Sequence, residues 1–135
     1  MTAESYIHKL KSGYIAKVDN WLRYQLDSLI YNISSDWDFV IVITGDGMVR
    51  TGKSVLGLNV AAYMADKLNT PFDVKNNVHY DSVDMMNIAQ ESVPNSVYLY
   101  DEARRGLATT KRFSQLYERM VDFFNECGQL NHMFI

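Results

Sequence analysis

An eight-residue stretch near the middle of the chain has the residue types and spacing of a phosphate-binding loop. Residues 47–54 read GMVRTGKS and match the pattern G-x-x-x-x-G-K-[ST] at every position. Glycines let such a loop curl so that successive backbone N–H groups point at phosphate oxygens. A helix that follows the loop presents its positive dipole end to the same anion. We therefore predict that this loop binds the phosphates of a nucleotide.

Two side chains of the loop carry chemistry of their own. We expect Lys53 to reach the β- and γ-phosphates and the Ser54 hydroxyl to ligate Mg²⁺. A glycine turn that binds nothing is the weaker interpretation, because roughly 0.002 chance matches to the pattern are expected in this chain. The expected nucleotide-binding residues are Gly47, Met48, Val49, Arg50, Thr51, Gly52, Lys53, Ser54 and Val55.

A second candidate element ends in two adjacent acidic residues. The apolar run Val97–Tyr100 is typical of a buried strand, and Asp101 and Glu102 follow it directly. We expect Asp101 to bind Mg²⁺ directly or through a water molecule. Glu102 is placed to orient and deprotonate a water molecule aimed at the γ-phosphate. An Asp-Glu pair is more often a solvated turn, but one strand–helix unit separates this pair from Lys53, and that spacing favours catalysis.

A basic cluster lies just beyond the acidic pair. Three roles are open for it: a solvated surface, stabilisation of the γ-phosphate of a neighbouring subunit, or contact with the phosphate backbone of DNA. The solvated surface is the default, because charge runs are usually solvated. The cluster comprises Arg104, Arg105, Lys111 and Arg112.

The elements that must position these residues alternate between strand and helix. An apolar β-branched run at 38–44 predicts a strand buried on both faces directly before the loop, and 52–68 predicts a helix directly after it. Such alternation predicts an α/β fold with a mainly parallel sheet. The remaining expected elements are a weak strand at 78–80, a helix near 81–91, the strand Val97–Tyr100, a helix at 110–126 and a strand beginning at 133.

Ahead of this core, the sequence predicts an N-terminal helical extension over residues 1–36, with the core at 37–135. Gly13 is expected to separate a short helix near 6–10 from a longer amphipathic helix at 14–30, which packs on the core. The apolar face of the longer helix comprises Tyr14, Ile15, Val18, Trp21, Leu22, Leu26, Leu29 and Ile30.

Composition excludes several classes of protein. At 135 residues with 47% apolar and 21% charged residues, the chain reads as one globular domain and not as a disordered or low-complexity segment. The single cysteine excludes an intrachain disulfide, and the three scattered histidines give no support for a Cys/His metal cluster. The net charge of −3 argues against a chain coated in basic charge. We find no membrane segment or secretory signal and expect a cytoplasmic location.

The motifs GMVRTGKS and VYLYDE, within residues 38–135, resemble the branch of P-loop NTPases in which a catalytic Glu directly follows the Mg²⁺-associated Asp. More narrowly, YDEARRGL, then a helix, then GQLNHMFI resembles ATPases of phages and mobile elements that are related to DNA-translocation, packaging and virion-assembly motors. The resemblance implies a three-layer P-loop core that hydrolyses ATP with Mg²⁺. It also implies a homo-oligomer acting on DNA or a virion component, in the host cytoplasm if the chain is phage-encoded.

In that branch, the acidic strand is followed by a helix and then by a further strand. This further strand lies in the sheet between the loop strand and the acidic strand, and it carries a polar sensor residue at its C-terminal end. The sequence stops at Ile135, before the sensor position and before any later arginine finger. We therefore expect a truncated form of a longer ATPase, incomplete in its C-terminal strands, with weak or absent hydrolysis on its own.

Two alternatives to hydrolysis remain open. A P-loop kinase would transfer the γ-phosphate to a small acceptor, with Arg104 and Arg105 in a closing lid. The adjacent acidic residues and the intervening strand unit favour hydrolysis over this transfer. A nucleotide-binding module would bind ATP without turnover.

Overall fold

The described part of this α/β chain contains both strands and helices. The computed structural model describes residues 5–9, 13–34, 39–43, 52–101, 118, 122 and 133–135. Its strands are β1 (Ser5–Lys9), β2 (Ile15–Asp19), β3 (Phe39–Val40), β4 (Val78–His79), β5 (Val97–Tyr100) and β6 (Met133–Phe134). Its helices are α1 (Asn20–Ser34), α2 (Lys53–Lys67), α3 (Val74–Asn77) and α4 (Ser82–Gln90).

Four strands form a parallel sheet in the order β3-β6-β5-β4. The prediction of a parallel sheet in an α/β fold is therefore confirmed. The paired part of the loop strand is shorter than expected, since β3 covers two residues of the predicted 38–44. In this order β6 lies between β3 and β5, which is the position that the resemblance implied for the strand following the acidic strand. A hydrogen bond of 2.8 Å from the Tyr100 N–H to the Ile135 carbonyl extends the pairing of β5 with β6.

Helices cover both faces of β5. Val97 and Leu99 belong to a buried cluster with α2, whereas Tyr98 packs with Met85 and Ala89 of α4. Successive side chains of a strand point to opposite faces, so α2 and α4 lie on opposite sides of the sheet. The apolar run of β5 is thus explained by burial on both faces.

The helix after the loop motif forms where the sequence predicted it. α2 ends at Lys67, and Asn69 follows with a positive φ of 56°. The Thr70 N–H donates to the Ala65 carbonyl at 2.9 Å, and the Asn69 N–H donates to the Asp66 carbonyl at 3.1 Å. These two bonds make a Schellman-type cap, with asparagine in the left-handed position. Asn69 therefore caps the C-terminus of α2.

The predicted N-terminal helices are partly wrong, because residues before Asn20 form a hairpin. β1 and β2 pair in antiparallel register from Ser5↔Asp19 to Lys9↔Ile15. Along β2, Ala16 and Val18 are buried while Ile15 is exposed, which is the period of two of a strand. Gly13, between the two strands, has a φ of +88°. The apolar residues of this segment also satisfy helical spacing. Burial of alternate residues against the rest of the protein favours the strand instead.

The hairpin and α1 pack against α2, as expected for a segment attached to the core. The Tyr14 hydroxyl donates to Asn59 Oδ1 at 3.0 Å, and the Tyr63 hydroxyl donates to Asp27 Oδ1 at 2.6 Å. Trp21, expected on the buried face, is instead 72% exposed. The expected apolar positions that do pack into the core are Val18, Leu22, Leu26, Leu29 and Ile30.

Two further sequence predictions concern helices. The predicted helix at 110–126 lies outside the described residues except for Glu118 and Asp122, which are helical and exposed. Among the helices that the structure describes, none has the length and apolar character needed to cross a membrane.

Candidate functional site

The last three residues of the loop motif, from Gly52 to Ser54, lie at the beginning of α2. Gly52 precedes the helix with φ 82° and ψ 15°, a left-handed conformation that favours glycine. A Cβ at Gly52 would meet nothing within 4 Å, so the backbone angle rather than crowding requires glycine there. Lys53, Ser54 and Val55 follow in the helix, and all three are exposed. The helix N-terminus therefore presents the lysine and the serine to solvent.

Ser54 and Asp101, the two expected metal ligands, are in direct contact. The Ser54 hydroxyl donates a hydrogen bond of 3.0 Å to Asp101 Oδ1. Ser54 is exposed and Asp101 is half-buried, so the pair lies at the surface. This bond joins the beginning of α2 to the residue directly after β5. The two sequence motifs lie at these two places.

Asp101 is held at the carboxyl edge of the parallel sheet. Its backbone N–H donates to the His79 carbonyl at 2.9 Å, and His79 is the last residue of the neighbouring strand β4. In open parallel sheets, ligands bind in the crevice outside the carboxyl ends of the strands. The Ser54–Asp101 pair therefore occupies the edge where a ligand of this fold class is expected.

Buried polar groups tie β4 to β5 behind this edge. Asn77 is 7% exposed; its side-chain amide donates to the Val97 carbonyl at 3.0 Å, and its Oδ1 accepts from the Asp73 N–H at 3.0 Å. The ring of His79 is also buried and contacts the Asn76 carbonyl through Nε2 at 2.6 Å. The His79 side chain is therefore packed in the protein interior. The role of Asn77 was not predicted.

Gly57 is a second feature that sequence reasoning missed. A Cβ added at Gly57 would lie 2.9 Å from Leu99 Cδ1 and 3.6 Å from Ile43 Cδ1. A side chain at position 57 would therefore require the Leu99 side chain or α2 to shift. The available signal was an isolated glycine inside a helical pattern, which usually has a packing or functional reason.

Two tyrosines of β5 lie on the α4 face of the sheet, and neither is suited to act as a base at neutral pH. Burial raises the pKa of Tyr98, and hydrogen bonds with Ser92 and Ser96 lower it by less. Burial, followed by the nearby Asp81 carboxylate, raises the pKa of Tyr100. Both phenols therefore keep their protons at neutral pH.

The oxygen atoms at this edge suit a hard cation shared with a ligand. Within the described ranges, no group of three or more His, Cys, Asp or Glu residues is placed to hold a metal ion. Mg²⁺ does not require such a group, because it is commonly held by one or two carboxylates together with substrate phosphates and waters. Ser54 and Asp101 supply a hydroxyl and a carboxylate, which match that preference.

Several predicted site residues lie outside the described part of the chain. They are Gly47, Met48, Val49, Arg50 and Thr51 of the loop, Glu102 of the acidic pair, and Arg104, Arg105, Lys111 and Arg112 of the basic cluster. Their roles stay predictions.

Comparisons with known proteins give the chain no relative. No family model, no curated protein and no solved structure matches it. The chemistry of the site therefore has to be inferred from its own residues.

Proposed function

We propose that this protein is a P-loop ATPase that binds ATP and Mg²⁺ between the beginning of α2 and the end of β5 and hydrolyses the γ-phosphate. The hydrogen bond of 3.0 Å between Ser54 and Asp101 carries the proposal. Two independent sequence motifs predicted these residues as ligands of one metal ion, and two ligands of the same ion have to lie close together. Chance contact between two residues 47 positions apart is a poor explanation for this coincidence.

The spacing of the two oxygens supports a shared Mg²⁺ site. Mg²⁺ prefers octahedral geometry with metal–oxygen distances of about 2.1 Å, so two neighbouring ligands lie about 3.0 Å apart. The Ser54 and Asp101 oxygens have this separation. The same pair also suits an arrangement in which Ser54 binds the ion and Asp101 accepts from an ion-bound water. When bound, Mg²⁺ neutralises charge that develops on the β- and γ-phosphates.

The order of the strands supports a more specific proposal for the fold. We propose a three-layer P-loop core in which β3 is the loop strand, β5 is the acidic strand and β6 is the additional strand between them. The packing of α2 and α4 on opposite faces of β5 agrees with three layers. The hairpin β1–β2 and α1 precede this core.

The remaining roles follow from charge and position. Lys53, exposed in the first turn of α2, supplies a cation for the β- and γ-phosphates. Gly52 turns the backbone so that the helix N-terminus faces the same anion. Glu102, next to Asp101 in the sequence, orients the attacking water and accepts its proton.

The test is a titration with ATP and with ADP, each with and without Mg²⁺, beside a phosphate-release assay. Wild type is expected to bind ATP more tightly with Mg²⁺. Lys53→Ala removes that affinity, whereas Glu102→Gln keeps the affinity and loses phosphate release. Lys67→Ala is the matched control, because Lys67 is an exposed lysine at the other end of the same helix.

Other results would redirect or overturn the proposal. Unchanged ATP affinity in Lys53→Ala would show that the site is wrongly assigned. A phosphorylated small acceptor without free phosphate indicates a kinase. ATP binding without phosphate release, even with DNA and at high protein concentration, indicates a nucleotide-binding module.

The cellular role that we propose comes from the resemblance alone: a homo-oligomer that acts on DNA or a virion component. It predicts that phosphate release rises with protein concentration and with added DNA. If the basic cluster contacts DNA, Arg105→Ala weakens DNA binding and flattens its dependence on salt, because each phosphate contact releases counterions. Unchanged salt slopes would exclude that contact.

A further inference from the structure

We propose that Gly57 is a positioning residue for the Mg²⁺ site, because its lack of a side chain sets the distance between α2 and β5. The inference rests on the proposed function, since it assigns Gly57 to the alignment of Ser54 with Asp101. Gly57 contacts no phosphate or metal in this scheme and acts only through the helix that carries Ser54.

α2 and β5 approach each other closely at Gly57. A Cβ there would lie 2.9 Å from Leu99 Cδ1, inside the 3.4–4 Å of an ordinary van der Waals contact. Leu99 is 6% exposed and belongs to the buried cluster between α2 and the sheet. A methyl group at position 57 therefore has to displace the buried Leu99 side chain, move α2 away from β5, or both.

The two contacts lie next to each other along one interface. Gly57 follows Ser54 by three positions in α2, and residues three apart in a helix are neighbours on its surface. Leu99 precedes Asp101 by two positions, so the two side chains leave the chain on the same face. The Gly57–Leu99 contact and the Ser54–Asp101 hydrogen bond are neighbouring contacts between α2 and the segment that runs from β5 to Asp101.

Helix propensity argues that the glycine serves the interface rather than the helix. Only proline is less favourable than glycine in a helix interior. Gly57 lies inside α2 and is buried, and its φ is not in the left-handed range. Helix geometry therefore does not require glycine at position 57, whereas the approach to Leu99 does.

A double-mutant cycle tests the inference with Gly57→Ala, Leu99→Val and the combination. Valine lacks the δ-carbons of leucine and so removes the atom that the new methyl group meets. The quantity to measure is the gain in ATP affinity on adding Mg²⁺, beside the urea midpoint of unfolding. We expect Gly57→Ala to reduce that gain about tenfold, since displacements near 1 Å in a site cost up to about 100-fold. ATP affinity without Mg²⁺ stays unchanged, and the double variant recovers the gain.

A purely structural role for Gly57 predicts a different result. Gly57→Ala would then shift the unfolding midpoint and leave the Mg²⁺-dependent gain intact, which overturns the inference. If Gly57→Ala does not fold, it is combined with Leu99→Ile, which keeps one δ-carbon and so relieves only part of the contact: a reduced gain in the folded double variant supports the inference, and an undiminished gain overturns it. A wild type without any Mg²⁺-dependent gain overturns the proposed function as well, so the two failures are distinguishable.

Discussion

The hydroxyl of Ser54 donates to a carboxylate oxygen of Asp101 across 3.0 Å, although 47 positions separate the two residues in the chain. The contact brings a helix N-terminus and a strand C-terminus together at one edge of a parallel sheet. A helix N-terminus attracts anions, and an adjacent carboxylate attracts cations. Such an edge can hold an anion and a cation side by side, as we propose for a nucleotide phosphate and Mg²⁺.

Replacing Ser54 is therefore expected to weaken Mg²⁺ binding and to leave the stability of the fold almost unchanged. Ser54→Ala should lose most of the Mg²⁺-dependent gain in ATP affinity, and Ser54→Thr should keep it because threonine retains the hydroxyl. The free energy of unfolding should change by no more than about 0.5 kcal/mol, since Ser54 is exposed. Calorimetric titration and urea unfolding measure the two quantities.

Ser28→Ala provides the control for losing an exposed helical hydroxyl, because Ser28 Oγ donates within α1, to the Tyr24 carbonyl at 3.1 Å. It should bind ATP and Mg²⁺ like wild type. A Ser54→Ala protein with an undiminished Mg²⁺-dependent gain contradicts the metal-ligand role of this hydroxyl.

The left-handed conformation of Gly52 leads to a second prediction. Gly52→Ala forces an L side chain into φ 82°, which should destabilise the fold by about 1 kcal/mol and weaken ATP binding. Gly13→Ala imposes a similar strain at φ 88° in the hairpin turn, also without a contact within 4 Å. It should therefore lose similar stability and keep its ATP affinity. Equal loss of ATP affinity in both variants would mean that Gly52 acts through stability alone.

Local signals predicted the central elements of the fold. The strand β5 and the helix α2 each have a continuous apolar pattern with clear ends, so their bounds agree with the sequence prediction to within one residue. The hairpin was not predicted because Tyr14 and Val18 fit a helix as well as a strand over so short a run. Burial of Ala16 against Ala62 of α2 decides between the two, and no local pattern contains that contact.

The residues of the candidate site also fall into those that the sequence predicted and those that it did not. Ser54 and Asp101 were predicted because each belongs to a short motif with a known chemical reason. Gly57 and Asn77 were not predicted, because their importance depends on contacts with β5. The distance between a helix and a strand cannot be read from the spacing of residues along either one.

Asn77 makes a third prediction possible, because its neighbour supplies a matched control. Asn77→Ala removes a buried amide that donates to the Val97 carbonyl and leaves that carbonyl without this partner. We expect a loss of about 2 kcal/mol in the free energy of unfolding. Asn76→Ala removes an exposed amide that donates to Asp73 Oδ2 at 3.0 Å and should cost less than about 0.5 kcal/mol. Urea unfolding distinguishes the two, and similar losses would contradict the role of burial.

The buried phenol of Tyr98 makes stability depend on alkaline pH. Burial raises its pKa above the ordinary value of 10.0, and hydrogen bonds with Ser92 and Ser96 offset part of the rise. Between pH 10 and the folded-state pKa, the unfolded chain has lost this proton and the folded chain has kept it. The unfolded state then binds fewer protons, so the free energy of unfolding falls as pH rises, by at most about 1.4 kcal/mol per pH unit. Below pH 10, the contribution of Tyr98 is fully present.

Tyr98→Phe removes the titrating group together with its hydrogen bond to Ser92. At pH 8 the variant should be less stable than wild type by about 1 kcal/mol, and the difference should shrink as pH rises above 10. Ser92→Ala breaks the same bond but keeps the phenol, so its stability should still fall with wild type at high pH. Urea unfolding from pH 8 to pH 11 compares the three proteins. Parallel curves for wild type and Tyr98→Phe would show that the buried phenol does not titrate differently in the folded and unfolded chains.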